Sequence, residues 1–515
     1  MESKVELVQA LRRAAQQHPN STATIDGPRR RTWQDVFERI GRLAGALSRH
    51  GIEHGDRVAI LALNSDAYYE TLYALFTLGA VAVPLNTRLA APELQFQVND
   101  AGVKALIFDL ANSENAQLLR QAGPSLFFGL GHEDGVLSSL EGLIADSPGI
   151  PEPACSESDL AGIFYTGGTT GAPKGVMLSH RNFHAMATGL IMDLKLDDEC
   201  VVLHSAPMFH LADFATFIVT MVGGVHVFAE KLHAEAMLDL IETHRVTHSF
   251  TVPAVIDQIA RAPDLASRDL SCLKVLGYGG AAMTQGGFER ARKAFPDLQF
   301  VQGFGMTEMP AVTFLGERHH RKGADPKRLR SAGRPGYGYE IRIVDSHDLE
   351  VPRGTVGEIV GRGDNVMQGY WRRPEETRQA LRNGWMHSGD AGYMDEDGFI
   401  YITDRFKDMI VTGAENVYSL EVENVLSQHP SVLECAVIGV PDETWGERVH
   451  AIVVLQPRTS LSLEEMRAFV RERIAGYKTP KSLEVRQSPL PRSGAGKILK
   501  TSLRQQLQSE PQQPG

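Results

Sequence analysis

Twelve residues from Tyr165 to Val176 read YTGGTTGAPKGV, gathering four glycines, three threonines and one lysine. A run this rich in glycine holds neither a helix nor a packed strand. It suits a loop whose backbone N–H groups, hydroxyls and single ammonium surround a polyphosphate. It is not a Walker A loop, because Lys174 follows Pro173 and no GK[ST] occurs in it. Cys155, Cys200, Cys272 and Cys435 are widely spaced and make no CxxC or Cys/His ligand pattern. A disulfide framework or structural zinc is therefore not expected, and a reducing compartment fits better.

The elements that must position such a loop alternate strand and helix over most of the first 400 residues. Thr32 can cap a helix, with Asp35 reaching back. Trp33, Val36, Phe37, Ile40, Leu43, Ala44 and Leu47 then recur at helical spacing up to Gly51. The strand GDRVAILAL, a helix over Ala67 to Leu78 and the strand AVAVPL follow. This order argues for an α/β fold with largely parallel, buried sheets. Short apolar strands at LAGIFYTGG, KVLGYGG and LQFVQGFG each deliver glycines to a strand's C-terminal end, where open α/β sheets bind ligands. After Arg334 the pattern turns to alternating strands, EIRIVD and GEIVGRG, with a hairpin signal at DEDGF. A boundary is expected near Asp404, giving a large domain over 1–403 and a small α+β domain over 404–515 with a frayed tail at QQLQSEPQQPG.

The composition, 43% hydrophobic and 22% charged, is that of a globular protein and excludes a disordered or fibrous one. Lys and Arg number 52 against 63 Asp and Glu, a net charge of −11 with no basic cluster, so nucleic acid is not expected as a partner. The longest apolar stretch, Phe214 to Phe228, is interrupted by Thr216, Thr220, Gly223, Gly224 and His226. It falls short of the roughly 20 residues of a membrane helix and reads as a buried helix running into a strand. The N-terminus is too charged for a signal peptide, and a cytoplasmic protein is expected.

In order as well as composition, the 165–176 loop resembles the signature of the adenylate-forming superfamily, the acyl- and aryl-CoA ligases, luciferases and peptide-synthetase adenylation domains. That loop usually reads YTSGTTGxPKG, so Gly168 matches and Gly167 stands where serine is common. The family's other motifs follow in order, from about residue 30 to 505. GYGGAA (Gly277 to Ala282) is similar to the segment that packs on adenine. GFGMTE (Gly303 to Glu308) is similar to the segment whose threonine contacts phosphate and whose glutamate holds Mg²⁺. SGD (Ser388 to Asp390) stands where the family has TGD, DRFKD (Asp404 to Asp408) where it has its hinge, and PRSGAGKILK (Pro491 to Lys500) where it has its adenylation lysine.

The resemblance implies a large multi-layer α/β domain, two sheets with helices plus a small β-barrel-like part, and a small mobile α+β C-terminal domain. It implies ATP, Mg²⁺ and coenzyme A as reactants and cofactor. Thr166, Gly167, Gly168, Thr169, Thr170, Gly171 and Lys174 would hold phosphates. Gly279, Gly280 and Ala281, with Gln302, Gly303, Phe304, Gly305 and Met306, would line the adenylate. Asp390 would bind the ribose and Arg405 the nucleotide, with Thr307 on phosphate, Glu308 on Mg²⁺ and Lys497 on the reacting group. Rotation about Lys407 would exchange Lys497 for the 412–416 segment, where Gly413 would line the pantetheine passage and Ala414 replaces a second glycine. Dimerisation is compatible with the resemblance.

The implied reaction joins a carboxylate to ATP, giving acyl-adenylate and pyrophosphate, and then passes the acyl group to CoA. PMFHLADF places His210 beside the acyl pocket. Amino-acid-activating members follow that aromatic with an aspartate, and here Leu211 stands in its place, with Asp213 two residues on. An α-amino acid is therefore not expected, and the downstream segments VGEIVGRGDNVMQGYWRRPEET and AVIGVPDETWGERVHAIVVL, which resemble bacterial fatty-acyl-CoA ligases, imply a medium- or long-chain fatty acid, with a benzoate- or cinnamate-like acid as the alternative. A stand-alone enzyme loading a separate carrier protein is the rival for the acceptor, and a luciferase-like oxygenase shares every nucleotide motif.

Overall fold

The computed structural model describes residues 7–121, 123–130, 138–149, 155–166, 173–229, 233–280, 283, 285–405, 408–412, 415–442, 445–492 and 498–509. The chain divides into two compact units. The first comprises residues 1–280, 294–341 and 361–386, and the second residues 281–293, 342–360 and 387–515.

Two sheets build the first unit. One runs, edge to edge, Arg334–Pro335, Met309–Leu315, Gln299–Met306, Val275–Gly279, His248–Thr251, Val201–His204, Val225–Phe228, Thr22–Asp26 and Arg29–Thr32. Its inner strands are parallel, and its edges turn antiparallel at Met309–Leu315 and Arg29–Thr32. The other runs Gly369–Tyr370, Lys174–Ser179, Leu160–Thr166, Val81–Pro84, Arg57–Leu61, Ala105–Phe108, Leu126–Gly129 and Ser138–Ser139. The capping box is present: Asp35 N–H donates to Thr32 Oγ1 at 3.1 Å and Thr32 N–H to the Asp35 carboxylate at 3.0 Å, opening the helix Trp33–Arg49. The helix Asp66–Leu78 is buried at every residue from Tyr68 onward, so it serves as core on all its faces. Its two buried carboxylates are both paired, Glu70 with Arg39 at 2.8 and 2.9 Å and Asp66 with Arg29 at 2.9 Å. The stretch Phe214 to Phe228 resolves as the helix Ala215–Val222 running into the strand Val225–Phe228.

In the second unit one sheet orders Glu415–Val417, Ile410–Thr412, Gly446–Leu455 and Val432–Asp442, with Ser482–Arg486 parallel to Gly446–Leu455. Strand alternation sorts its core onto two faces. Val437, Val449, Ala451 and Val453 meet Val422, Leu426, Met466 and Val470 on one side. Ala436, Ile438, Ile452 and Val454 meet Leu490 and Leu503 on the other. A hairpin pairs Asp390 with Arg405 and Met394 with Ile400. The hairpin's second strand is Ile400–Arg405, and its residues fall in the part of the second unit that runs from 387. The tail expected to fray from Gln505 is helical to Ser509, because Leu503 and Leu507 of the helix Lys500–Ser509 pack into the second core face. Among the described residues no helix is long and apolar enough to cross a membrane.

Candidate active site

The site begins where two parallel strands end. Val275–Gly279 and Gln299–Met306 pair with Gly279 beside Gly303. They approach so closely that a Cβ on Gly279 would stand 2.7 Å from the Gly303 carbonyl oxygen. The second strand turns back through Thr307 and Glu308 into Met309–Leu315. Pairing slips across this return, from Phe304 opposite Thr313 to Met306 opposite Met309, so the return strand carries extra residues as a bulge. Ala311 within that bulge sits at φ 54°, and its backbone nitrogen would lie 2.4 Å from a Cβ on Gly305. Gly305 therefore makes room for the bulge that sets the turn bearing Thr307 and Glu308. Asn365, fully buried, donates from Nδ2 to the Pro310 carbonyl at 2.5 Å and fixes the same bulge.

Glu308 is buried at the turn and accepts a hydrogen bond on Oε1 from the Tyr370 hydroxyl at 3.0 Å. Tyr370 belongs to the short strand Gly369–Tyr370, which pairs with Lys174–Ser179. Lys174 Nζ lies 4.8 Å from the centre of the Tyr370 ring. A cation, an aromatic ring and a carboxylate thus stand in one row. Burial, and then the charge of Glu308, push the Tyr370 hydroxyl well above its ordinary pKa, so it stays a donor. Thr166 pairs with Lys174, and its hydroxyl donates to the Lys174 carbonyl at 3.4 Å, so both ends of the glycine loop are held in one antiparallel ladder. Gly167, Gly168, Thr169, Thr170 and Gly171 lie outside the described residues.

Among the described residues no cluster of three His, Cys, Asp or Glu could hold a metal. A lone hard carboxylate such as Glu308 fits Mg²⁺, which keeps its waters and takes phosphate oxygens for the rest of its shell. Phe304, Gly303, Gln302 and Met306 are half-buried on the strand that leads to this turn.

The segment following Val201–His204 carries His210, half-buried, with Leu211 buried beside it. Asp213 turns inward: it is buried, pairs with His204 Nδ1 at 2.9 Å and accepts from the Thr216 hydroxyl at 3.0 Å. His204 continues to His226 at 2.9 Å, and the chain of contacts ends at Thr220 and Tyr69. Burial holds His226 neutral, well below its ordinary pKa. The carboxylate of Asp213 is thus committed to this interior network.

In the second unit Asp390 is buried, and its N–H donates to Ser388 Oγ at 3.0 Å. Ser388 in turn donates to the Ile359 carbonyl at 2.6 Å. Arg405 lies opposite Asp390 in the hairpin. Ala281, Lys407, Gly413 and Lys497 lie outside the described residues. Lys478 donates to both carboxylate oxygens of Glu421 at 2.7 Å. Sequence reading missed Tyr370. Its only signal was the MQGYWRRPEET segment, and nothing in the spacing shows that a residue 62 positions on from Glu308 will meet it.

Residues 11–371 match the model of the AMP-binding enzyme family, and residues 421–497 match the AMP-binding enzyme C-terminal domain. A feruloyl-CoA synthase from Amycolatopsis is 39% identical over 96% of this chain and 98% of its own. The long-chain-fatty-acid–CoA ligase FadD13 of Mycobacterium tuberculosis is 36% identical over 93% of each chain. The solved amide bond synthetase McbA of Marinactinospora thermotolerans superposes with a TM-score of 0.89 at 31% identity, covering 97% of this chain and 99% of its own.

Two substitutions test this geometry. Gly305→Ala meets backbone and no flexible side chain. It should cost about 1–3 kcal/mol in urea unfolding and weaken Mg-ATP binding more than Mg-ATP-independent properties. Tyr370→Phe removes a hydrogen bond to a charged group, typically about 1.5–3 kcal/mol, so calorimetric Mg-ATP affinity should fall roughly 10- to 100-fold with the fold intact. Unchanged affinity would remove Tyr370 from the site.

Proposed function

The chain belongs to the AMP-binding enzyme family, and from that premise we propose that it is an AMP-forming ligase joining an apolar carboxylic acid to coenzyme A. The observation that carries this reading is the row of Lys174, Tyr370 and Glu308 beside the glycine-lined strand ends.

The acid's carboxylate attacks the α-phosphorus of ATP, the bond to the bridging oxygen breaks, and acyl-adenylate and pyrophosphate result. The CoA thiolate then attacks the acyl carbon and expels AMP. No catalytic base is needed for the first step, because a carboxylic acid is already ionised at pH 7. Negative charge spreads over the reacting phosphoryl group, so preorganised donors and cations carry the catalysis. Lys174, Thr166 and the 167–171 residues hold the outer phosphates, and Thr307 donates to the reacting one. Glu308 would hold Mg²⁺, which would supply charge neutralisation to the phosphates. Asp390 accepts from the ribose, and Arg405 binds the nucleotide. Gly279, Gly280, Ala281 and residues 302–306 flank the adenine. Lys497 serves adenylation, and a turn about Lys407, with the mobile part beginning near 404, replaces it by the Gly413 segment for thioester formation.

The acid has an apolar tail. Leu211 stands where an ammonium partner would be needed, and the nearby Asp213 is spent on His204 and Thr216, so an α-amino acid finds no counter-ion. His210 touches the acyl group. The relatives named above include both an aromatic-acid and a fatty-acid enzyme, and either kind of tail suits such a wall.

AMP release with Mg-ATP, with and without CoA, across acids from acetate through octanoate to palmitate plus benzoate and a cinnamate, tests the proposal. CoA-dependent AMP and the matching thioester from an apolar acid, with none from an amino acid, is the expected result. ADP in place of AMP would contradict the ligase, and adenylate without thioester would move the acceptor to a carrier thiol or an amine.

A further inference from the structure

The strand that leads into the glycine loop and the segment that carries Tyr370 are tied to one residue that the proposed reaction does not use. Asp100 lies half-buried in the last turn of the helix Ala91–Ala101. Its Oδ2 accepts from the Tyr165 hydroxyl at 2.7 Å. Its Oδ1 pairs with Arg373 at 3.7 Å, and its backbone carbonyl accepts from Trp371 Nε1 at 3.0 Å. Tyr165 directly precedes Thr166, which pairs with Lys174. Trp371 directly follows Tyr370, the partner of Glu308.

The same two segments also meet across Gly175. The Trp371 N–H donates to the Gly175 carbonyl at 2.7 Å. A Cβ on Gly175 would stand 3.2 Å from Tyr165 Cζ and 3.3 Å from Trp371 Cβ, so the absence of a side chain lets both rings close in on this strand. Arg57 braces the joint: it donates to the Ala101 and Gly102 carbonyls at 3.0 and 2.8 Å, and its guanidinium lies 5.8 Å from the centre of the Trp371 ring. A carboxylate in the last turn of a helix opposes the helix dipole, so Asp100 is not placed to stabilise its own helix. Burial, and then the bond to Asp100, push the Tyr165 hydroxyl well above its ordinary pKa, so it stays a donor.

We infer that Asp100 is a positioning residue for the nucleotide's outer phosphates: through Tyr165 and Arg373 its carboxylate holds the Lys174 ladder and the Tyr370 segment at one spacing. Lys174 and Glu308 then meet the same polyphosphate from fixed positions. The inference rests on the roles proposed for those two residues.

Calorimetry of the full chain with Mg-ATP and, separately, with AMP tests it, with Tyr370→Phe run in parallel. AMP lacks the outer phosphates, so a misplaced phosphate row weakens ATP alone, whereas a general loss of structure weakens both. Small displacements of such groups cost large factors, so Asp100→Ala and Tyr165→Phe should each weaken Mg-ATP roughly 10-fold and leave AMP within about threefold of wild type. The double variant should bind Mg-ATP about as weakly as the worse single one, because both changes break one interaction. Asp100→Asn, whose side-chain carbonyl still accepts from Tyr165, should keep Mg-ATP affinity within about threefold of wild type. If Asp100→Ala does not fold, Tyr165→Phe, which removes a single oxygen, carries the test. Wild-type Mg-ATP affinity in these variants while Tyr370→Phe has lost it, equal loss of Mg-ATP and AMP, or additive loss in the double variant overturns the positioning role alone. Unchanged Mg-ATP affinity in Tyr370→Phe overturns that role together with the site assignment beneath it.

Discussion

Gly305 has no side chain, and the site depends on that vacancy. The return strand bulges into the space a Cβ would fill, with Ala311 nitrogen 2.4 Å from that point. Because of the bulge, the turn carries Glu308 to the hydroxyl of Tyr370 instead of continuing a regular ladder. Tyr370 is held in turn by pairing with the strand that begins at Lys174. One close backbone approach therefore sets Glu308 against Tyr370, and Tyr370 in turn lies beside Lys174.

The same logic governs the buried polar groups elsewhere. Asp66 and Glu70 on the helix Asp66–Leu78 and Asp213 beside His204 are all buried and all paired, and Glu423 in the second unit is half-buried and paired. Such pairs add little net stability over an apolar core, but breaking one leaves a charge stranded. Their effect is to allow few arrangements. Asp213 is an example: it turns inward to His204 and Thr216, and its carboxylate is committed to that interior network.

Much of this was legible in the sequence. The capping box at Thr32 and Asp35, the strands Leu160–Thr166, Val275–Gly279 and Gln299–Met306 that carry or lead into glycines, and the helix running into a strand from Phe214 to Phe228 all follow from local pattern. The order of the motifs indicated the superfamily. Contacts set by tertiary folding were not legible. Tyr370 meets Glu308 only because a strand of one sheet is brought against a turn of the other, and Ser419 joins Asp404 to Lys500 across 96 residues of chain. The helix Lys500–Ser509 reads as a polar tail because only Leu503 and Leu507 mark its buried side, and the core they enter is assembled from distant strands.

In the proposed reaction a substrate carboxylate attacks the α-phosphorus of ATP. Turnover with an acid labelled with ¹⁸O in its carboxylate, followed by mass analysis of the released nucleotide, addresses it most directly. The account predicts AMP carrying one ¹⁸O atom, because the oxygen that bridges acyl and phosphoryl groups stays on phosphorus when CoA takes the acyl carbon. Unlabelled AMP, or label appearing in inorganic phosphate alongside ADP, would contradict it.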